Sequence, residues 1–297
     1  MQWHTLITAS NVIAAILALT PYFAAAFFPD QLSHLVRTLP RWARILLPAL
    51  LCVPYILVTQ ATGDFRWHWF AVYAVLPPLI ALLLERAEGV GDNANRGHWR
   101  EFLVLALLGL AVDLRWFEAA WPAHLAIFNK VILLDAGIYG FVLLRDLEGT
   151  GFNLRLRLAD VKIGLRELVF YFPIALALGL ALHFLHAHAV LPGFSAIAAA
   201  WAFTFFFIAV PEELFFRGWV QNLLERHMGR TAALLLTAAL FGLAHFNKRA
   251  VYFNWRYVLL AAIAGIFYGR AWRQERRVAA SAITHASVDA IWSLWLK

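Results

Sequence analysis

The feature that most constrains this chain is the succession of apolar runs, each long enough to cross ~30 Å of hydrocarbon as a helix of ~20 residues. They fall at about 5–28, 44–60, 67–84, 102–121, 125–144, 167–186, 194–224, 231–247, 255–272 and 278–296. Asp113, Arg115 and Glu118 crowd the second half of the fourth run, so eight to ten spans are expected. The runs are continuously apolar and lack the ~10-residue alternation of a barrel, which predicts an all-α, polytopic transmembrane helical bundle. Composition agrees, since 62% of the 297 residues are hydrophobic and 14% charged, too few polar side chains to cover a water-soluble globule.

The net charge of +7 is spread between apolar runs instead of gathered into a stripe, which points to the bilayer and away from nucleic acid. Basic residues concentrate in 29–43, 85–101, 145–166, 225–230 and 273–277, which fall on one side with ten spans. That side is expected to be cytoplasmic, with both termini outside. Lys248, Arg249 and Arg256 run against the pattern. The first run has no leading Lys or Arg and reads as an uncleaved helix. Short loops and no targeting extension suit a bacterial inner membrane. The single cysteine, Cys52, excludes a disulfide framework, a Cys-rich zinc site and an iron-sulfur cluster. The longest polar break, 145–166, separates an N-terminal set of spans, 1–150, from a C-terminal core, 165–297.

Ionisable groups inside lipid cost ~2.5–3.5 kcal/mol each on insertion scales, so they are the first candidates for function. The run 194–224 carries Glu212 and Glu213, with Arg217 four residues after the second. On a helix Glu213 and Arg217 can pair, while Glu212 points about 100° away and is left for other work. Phe241 and His245, then His285 and Asp289, repeat the four-residue spacing on the next and the last run. With a turn near Gly229, Glu212 lies 17 residues before it and His245 lies 16 after it. At ~1.5 Å per residue these are ~25 and ~24 Å, the same depth.

A glutamate with two histidines supports two related chemistries. Glu212, His245 and His285 can hold zinc or another divalent metal that activates water. Without metal, Glu212 acts as general base, His245 orients the water, and His285 with Asp289 stabilises an oxyanion. Both end in hydrolysis, and both need a hydrated cavity between helices. Other patterns carry less. Gly89-Val90-Gly91-Asp92 reads as a polar turn, His183, His186 and His188 as interface histidines, and Asp135 as a buried polar contact.

Taken together, Glu212-Glu213 with Arg217, Phe241 with His245, and His285 with Asp289 resemble the motifs EExxxR, FxxxH and HxxxN/D of the CPBP intramembrane proteases, the family of Rce1-type CAAX prenyl endopeptidases and bacterial Abi proteins. The resemblance covers roughly residues 165–297. It implies hydrolysis of a peptide bond in a membrane-associated protein or peptide, with Glu212 and His245 activating water and His285 and Asp289 serving the oxyanion or a metal. Asp289 stands where the prenyl proteases have Asn; an ionised Asp cannot donate to an oxyanion, so it must be protonated, orient His285 or bind metal. Two other readings use the same residues: a non-catalytic scaffold that binds another membrane protein, and a proton-coupled transporter.

Overall fold

The computed structural model describes residues 8–87, 97–186, 192–248 and 252–296. The Gly89–Asp92 turn, His188 and Arg249 lie outside them. The described residues are helical without strands, and the chain divides into two compact units, Met1–Leu147 and Glu148–Lys297.

The first unit holds α1 (Ala9–Phe27), α2 (Pro29–Thr38), α3 (Arg41–Thr62), α4 (Trp67–Glu85), α5 (Trp99–Asp113) and α6 (Ile127–Leu144). Thr8 caps α1 by accepting from the Asn11 amide at 3.2 Å. Of the six, α6 is the most enclosed by protein among the long apolar helices of the unit. Its neighbours build an aromatic core in which Tyr73 donates to Asn129 Oδ1 at 3.0 Å and accepts from Trp121 Nε1 at 2.7 Å. Asp135 is buried in this unit with neither carboxylate oxygen hydrogen-bonded. The fourth apolar run shortens here: α5 stops at Asp113, Arg115 takes a left-handed φ of 57°, and only a three-residue turn, Glu118–Ala120, follows.

The second unit holds α7 (Leu158–Ala181), α8 (Phe194–Met228), α9 (Arg230–Leu243), α10 (Trp255–Glu275) and α11 (Val278–Trp295). His183 sits in the turn that follows α7, with φ 50°. Gly229, at φ 81°, makes the reversal between α8 and α9, a conformation that favours glycine. Carboxylates tie the helix ends together: Glu225 of α8 pairs with Arg273 at 2.8 Å and Arg276 at 2.7 Å, and Asp160 of α7 with Arg277 at 2.6 Å. α11 packs against α7, α8 and α10, and the stretch from Val278 to Ser287 is buried throughout.

Among the described residues six helices are long and apolar enough to cross a membrane: α1, α3, α4, α6, α7 and α8. α5 and α9 are too short, at 15 and 14 residues. The last two expected spans are present as helices of 21 and 18 residues but fall outside that set. The physical reason is compositional. α10 ends in Arg270, Arg273 and Glu275, and α11 turns Ser281, Thr284 and His285 toward the protein interior, where apolar side chains would otherwise raise its hydropathy.

Candidate active site

The site is built on an irregular stretch of α8. Pro211 has no amide proton to give to the preceding turn and its ring crowds the carbonyl there, which loosens the helix beside it. The helix has two π segments, Phe205–Ala209 and Leu214–Gln221, and the single α-helical turn between them is Val210–Glu213. That turn carries both glutamates.

Glu213 is fully buried and saturated. Its Oε1 accepts from Arg217 Nη1 at 3.0 Å and from His285 Nδ1 at 2.8 Å, and its Oε2 accepts from the Ser281 hydroxyl. Arg217, equally buried, also donates to the Gly265 carbonyl at 3.0 Å and lies over the Phe241 ring at 4.5 Å. A buried ion pair is tolerable when most of its remaining lone pairs and protons are used, and this one draws on α8, α10 and α11 to do so, with only Arg217 Nε left over.

Glu212 differs. Its side chain is 27% exposed, Oε1 is 3.6 Å from Lys248 Nζ, and Oε2 is buried without a hydrogen-bond partner. Oε2 is 3.9 Å from His285 Nε2, a gap wide enough to admit a bridging water. His245 follows the last turn of α9, and its Nδ1 lies 2.8 Å from the Phe241 carbonyl. A carbonyl only accepts, so Nδ1 carries the proton and Nε2 keeps its lone pair. His285 is held in the same manner by Glu213, its ring stacked on Tyr268 at 4.7 Å, and its Nε2 lies 3.5 Å from Asp289 Oδ2.

Glu212, His245, His285 and Asp289 share a cavity of about 260 Å³, together with Lys248, Tyr257 and Trp292 among others. A second, mostly apolar chamber of about 70 Å³, lined by Tyr171, Ala175, Leu260 and Ala264 among others, touches His245, His285 and Asp289 from the other side. The six residues singled out in the sequence are therefore in one place, in two layers. Glu212, His245, His285 and Asp289 face the cavity; Glu213 and Arg217 lie behind it. Asp135 belongs to the other unit and does not line the cavity. Sequence reasoning missed Ser281, Lys248 and Tyr257. Ser281 stands four residues before His285, a helical spacing that could have flagged it; Lys248 was visible only as an out-of-place charge.

Residues 194–291 match the family model of the type II CAAX prenyl endopeptidases, Rce1-like. The Rce1-like segment runs from the start of α8 to Ile291 and contains all six residues. No curated protein and no solved structure matches the chain. The six apolar helices and the Rce1-like segment together make this an integral, multi-pass membrane protein.

Among the described residues no group of three His, Cys, Asp or Glu side chains stands ready to hold a metal ion.

Proposed function

We propose that the C-terminal unit is an intramembrane endopeptidase that cleaves a membrane-associated protein or peptide near the cavity, with Glu212 as general base. The observation that carries this reading is the contrast between the two adjacent carboxylates. Glu213 is consumed by three donors, whereas Glu212 lines the cavity together with His245 and His285 and keeps an oxygen, Oε2, with no hydrogen-bond partner. The Rce1-like match supplies the substrate class, a protein held at the membrane.

In the reaction, water lies between Glu212 Oε2 and the two histidines. His245 Nε2 accepts one of its protons as a hydrogen bond and aims its lone pair. Glu212 takes the other proton as the water oxygen bonds to the scissile carbonyl carbon, which leaves a tetrahedral oxyanion. His285, in its imidazolium form, donates from Nε2 to that oxyanion, while its Nδ1–H donates to Glu213 and fixes the ring. The intermediate collapses, the C–N bond breaks, and the proton held by Glu212 passes to the departing amine. Asp289, 3.5 Å from His285 Nε2, orients the ring and so fits a role that an ionised carboxylate can perform.

The test is cleavage of a membrane-tethered peptide in proteoliposomes by the wild type and by Glu212→Ala, His245→Ala and His285→Ala. Loss of cleavage in all three with folding retained supports the reading. Unchanged cleavage by all three removes it.

A further inference from the structure

We propose that Arg166 and Arg270 form a binding site for the phosphate of an anionic phospholipid, at the seam between α7 and α10. Both helices belong to the C-terminal unit and pack against each other. The two arginines converge on one carboxylate. Glu167 is fully buried; its Oε1 accepts from Arg166 Nε at 3.2 Å and Nη2 at 2.8 Å, and its Oε2 lies 3.1 Å from Arg270 Nε. Two guanidiniums against a single carboxylate leave one positive charge uncancelled. Lys162, one helical turn before Arg166 and also exposed, adds a further cation to this face. Glu167 Oε2 accepts no hydrogen bond, so Arg270 is held there by charge alone. Among the described residues its guanidinium N–H groups meet no other acceptor.

The surroundings identify the anion as a lipid's. Arg166 and Arg270 are 45% and 44% exposed, yet the side chains exposed beside them are Leu165, Val169 and Phe170. α7 is one of the six helices long and apolar enough to cross a membrane, so this face meets lipid. Arg166 lies eight residues into α7, about 12 Å along it, and Arg270 five residues before the end of α10. Both therefore sit toward the end of the bundle where Asp160 meets Arg277. A charge beside lipid is costly unless it is paired, and a basic pocket between helices near the membrane surface suits an acidic headgroup. The Arg270 guanidinium lies over the rings of Phe267 at 5.3 Å and Phe170 at 5.9 Å, which fixes its fork. A planar fork takes two phosphate oxygens at once. Neither arginine lines the cavity or the apolar chamber, so the site is separate from the path of a peptide. Tyr171 of α7 already donates to the Leu260 carbonyl of α10 at 3.2 Å, and a phosphate shared by Arg166 and Arg270 is a second clasp on the same seam.

The experiment adds phosphatidylglycerol, phosphatidylcholine or inorganic phosphate to the full chain in a neutral detergent and follows thermal unfolding. Phosphatidylglycerol is expected to raise the unfolding temperature by about 5 °C, and phosphatidylcholine, whose ammonium cancels its charge, by about 1 °C or less. Arg166→Gln and Arg270→Gln abolish that difference, whereas Arg41→Gln, at an exposed arginine of the first unit, keeps it. Should a glutamine variant fail to fold, Arg270→Lys decides. It retains a charge for Glu167 without the fork, and is expected to need about tenfold more phosphatidylglycerol for the same shift. Equal shifts from the two lipids overturn the proposal, as does a full shift in Arg270→Gln or an unchanged lipid requirement in Arg270→Lys. A shift from inorganic phosphate that matches the one from phosphatidylglycerol also overturns it, because the site then takes a free anion and not a lipid. None of these readouts depends on cleavage, so the protease reading stands or falls separately.

Discussion

His285 Nδ1 and Glu213 Oε1 are 2.8 Å apart, joined across α8 and α11 by two side chains 72 residues apart in the chain. This bond decides which glutamate is available: Glu213 braces the histidine, and Glu212 is left to face the cavity.

Glu212→Gln and Glu213→Gln are therefore expected to fail differently. Glu212→Gln keeps the shape of the site and removes the base, so cleavage falls by about 10²–10⁴ while thermal unfolding in detergent changes little. Glu213→Gln removes the charge that Arg217 and His285 lean on, and its main signature is a lower unfolding temperature. Paired measurements of rate and unfolding temperature separate the two, and equal losses of stability would contradict the assignment.

The Glu213 and Arg217 pair invites a double-mutant cycle. Arg217→Met leaves a buried carboxylate without its cation, for an expected destabilisation of about 3–5 kcal/mol. Combining it with Glu213→Gln should recover a large part of that loss, because the uncompensated charge is gone. Additive losses in unfolding experiments would show that the two side chains stabilise the bundle independently.

Gly242 marks the close crossing of α9 and α10. A Cβ built there meets the Val258 carbonyl oxygen at 2.5 Å and Ala262 Cβ at 2.7 Å. Both are rigid parts of α10, so Gly242→Ala must push the helices apart. The expected cost is about 1–3 kcal/mol, with an accompanying loss of cleavage, since His245 lies three residues further on. Circular dichroism melts and peptide cleavage on the same preparation check both halves.

The apolar chamber beside the histidines predicts a substrate effect. Ala175→Phe narrows it from α7, so KM is expected to rise about tenfold for peptides with a bulky apolar group next to the scissile bond, at nearly constant kcat. Peptides with a small residue at that place should be cleaved as before. A loss confined to kcat would place the chamber outside the binding path.

Metal dependence is open to direct measurement. With Glu212 as general base, cleavage is expected to survive dialysis against a strong chelator. Elemental analysis is expected to give the same metal content for the wild type and His245→Ala. Stoichiometric zinc lost in His245→Ala would assign Glu212, His245 and His285 to a ligand set instead.

What the sequence made legible follows from helical periodicity. A spacing of four residues puts Glu213 beside Arg217 and Asp289 beside His285, and both contacts occur, at 3.0 and 3.5 Å. The turn at Gly229 was readable for the same reason, since residue counts measure depth along a helix. Periodicity says nothing about which helices cross, so the Glu213 bonds to Ser281 and His285 and the approach of Lys248 to Glu212 were hidden. The last helix shows the limit of hydropathy for a related reason: the buried face of α11 is partly polar, and an apolar average cannot tell a lipid-facing helix from one enclosed by protein.

The two widened segments of α8 have a consequence for how this sequence can change. A π turn amounts to one residue inserted in a helix and absorbed in a wider turn, so deleting a single residue from Phe205–Ala209 or from Leu214–Gln221 would close that turn to a regular coil and leave the helix on either side close to its present phase. A deletion from the regular turn Val210–Glu213 has no such slack and would rotate one side against the other by about 100°. The widened segments are thus the places where α8 should accept a single-residue gap, while a gap in the turn between them should dial the acidic pair away from its histidines.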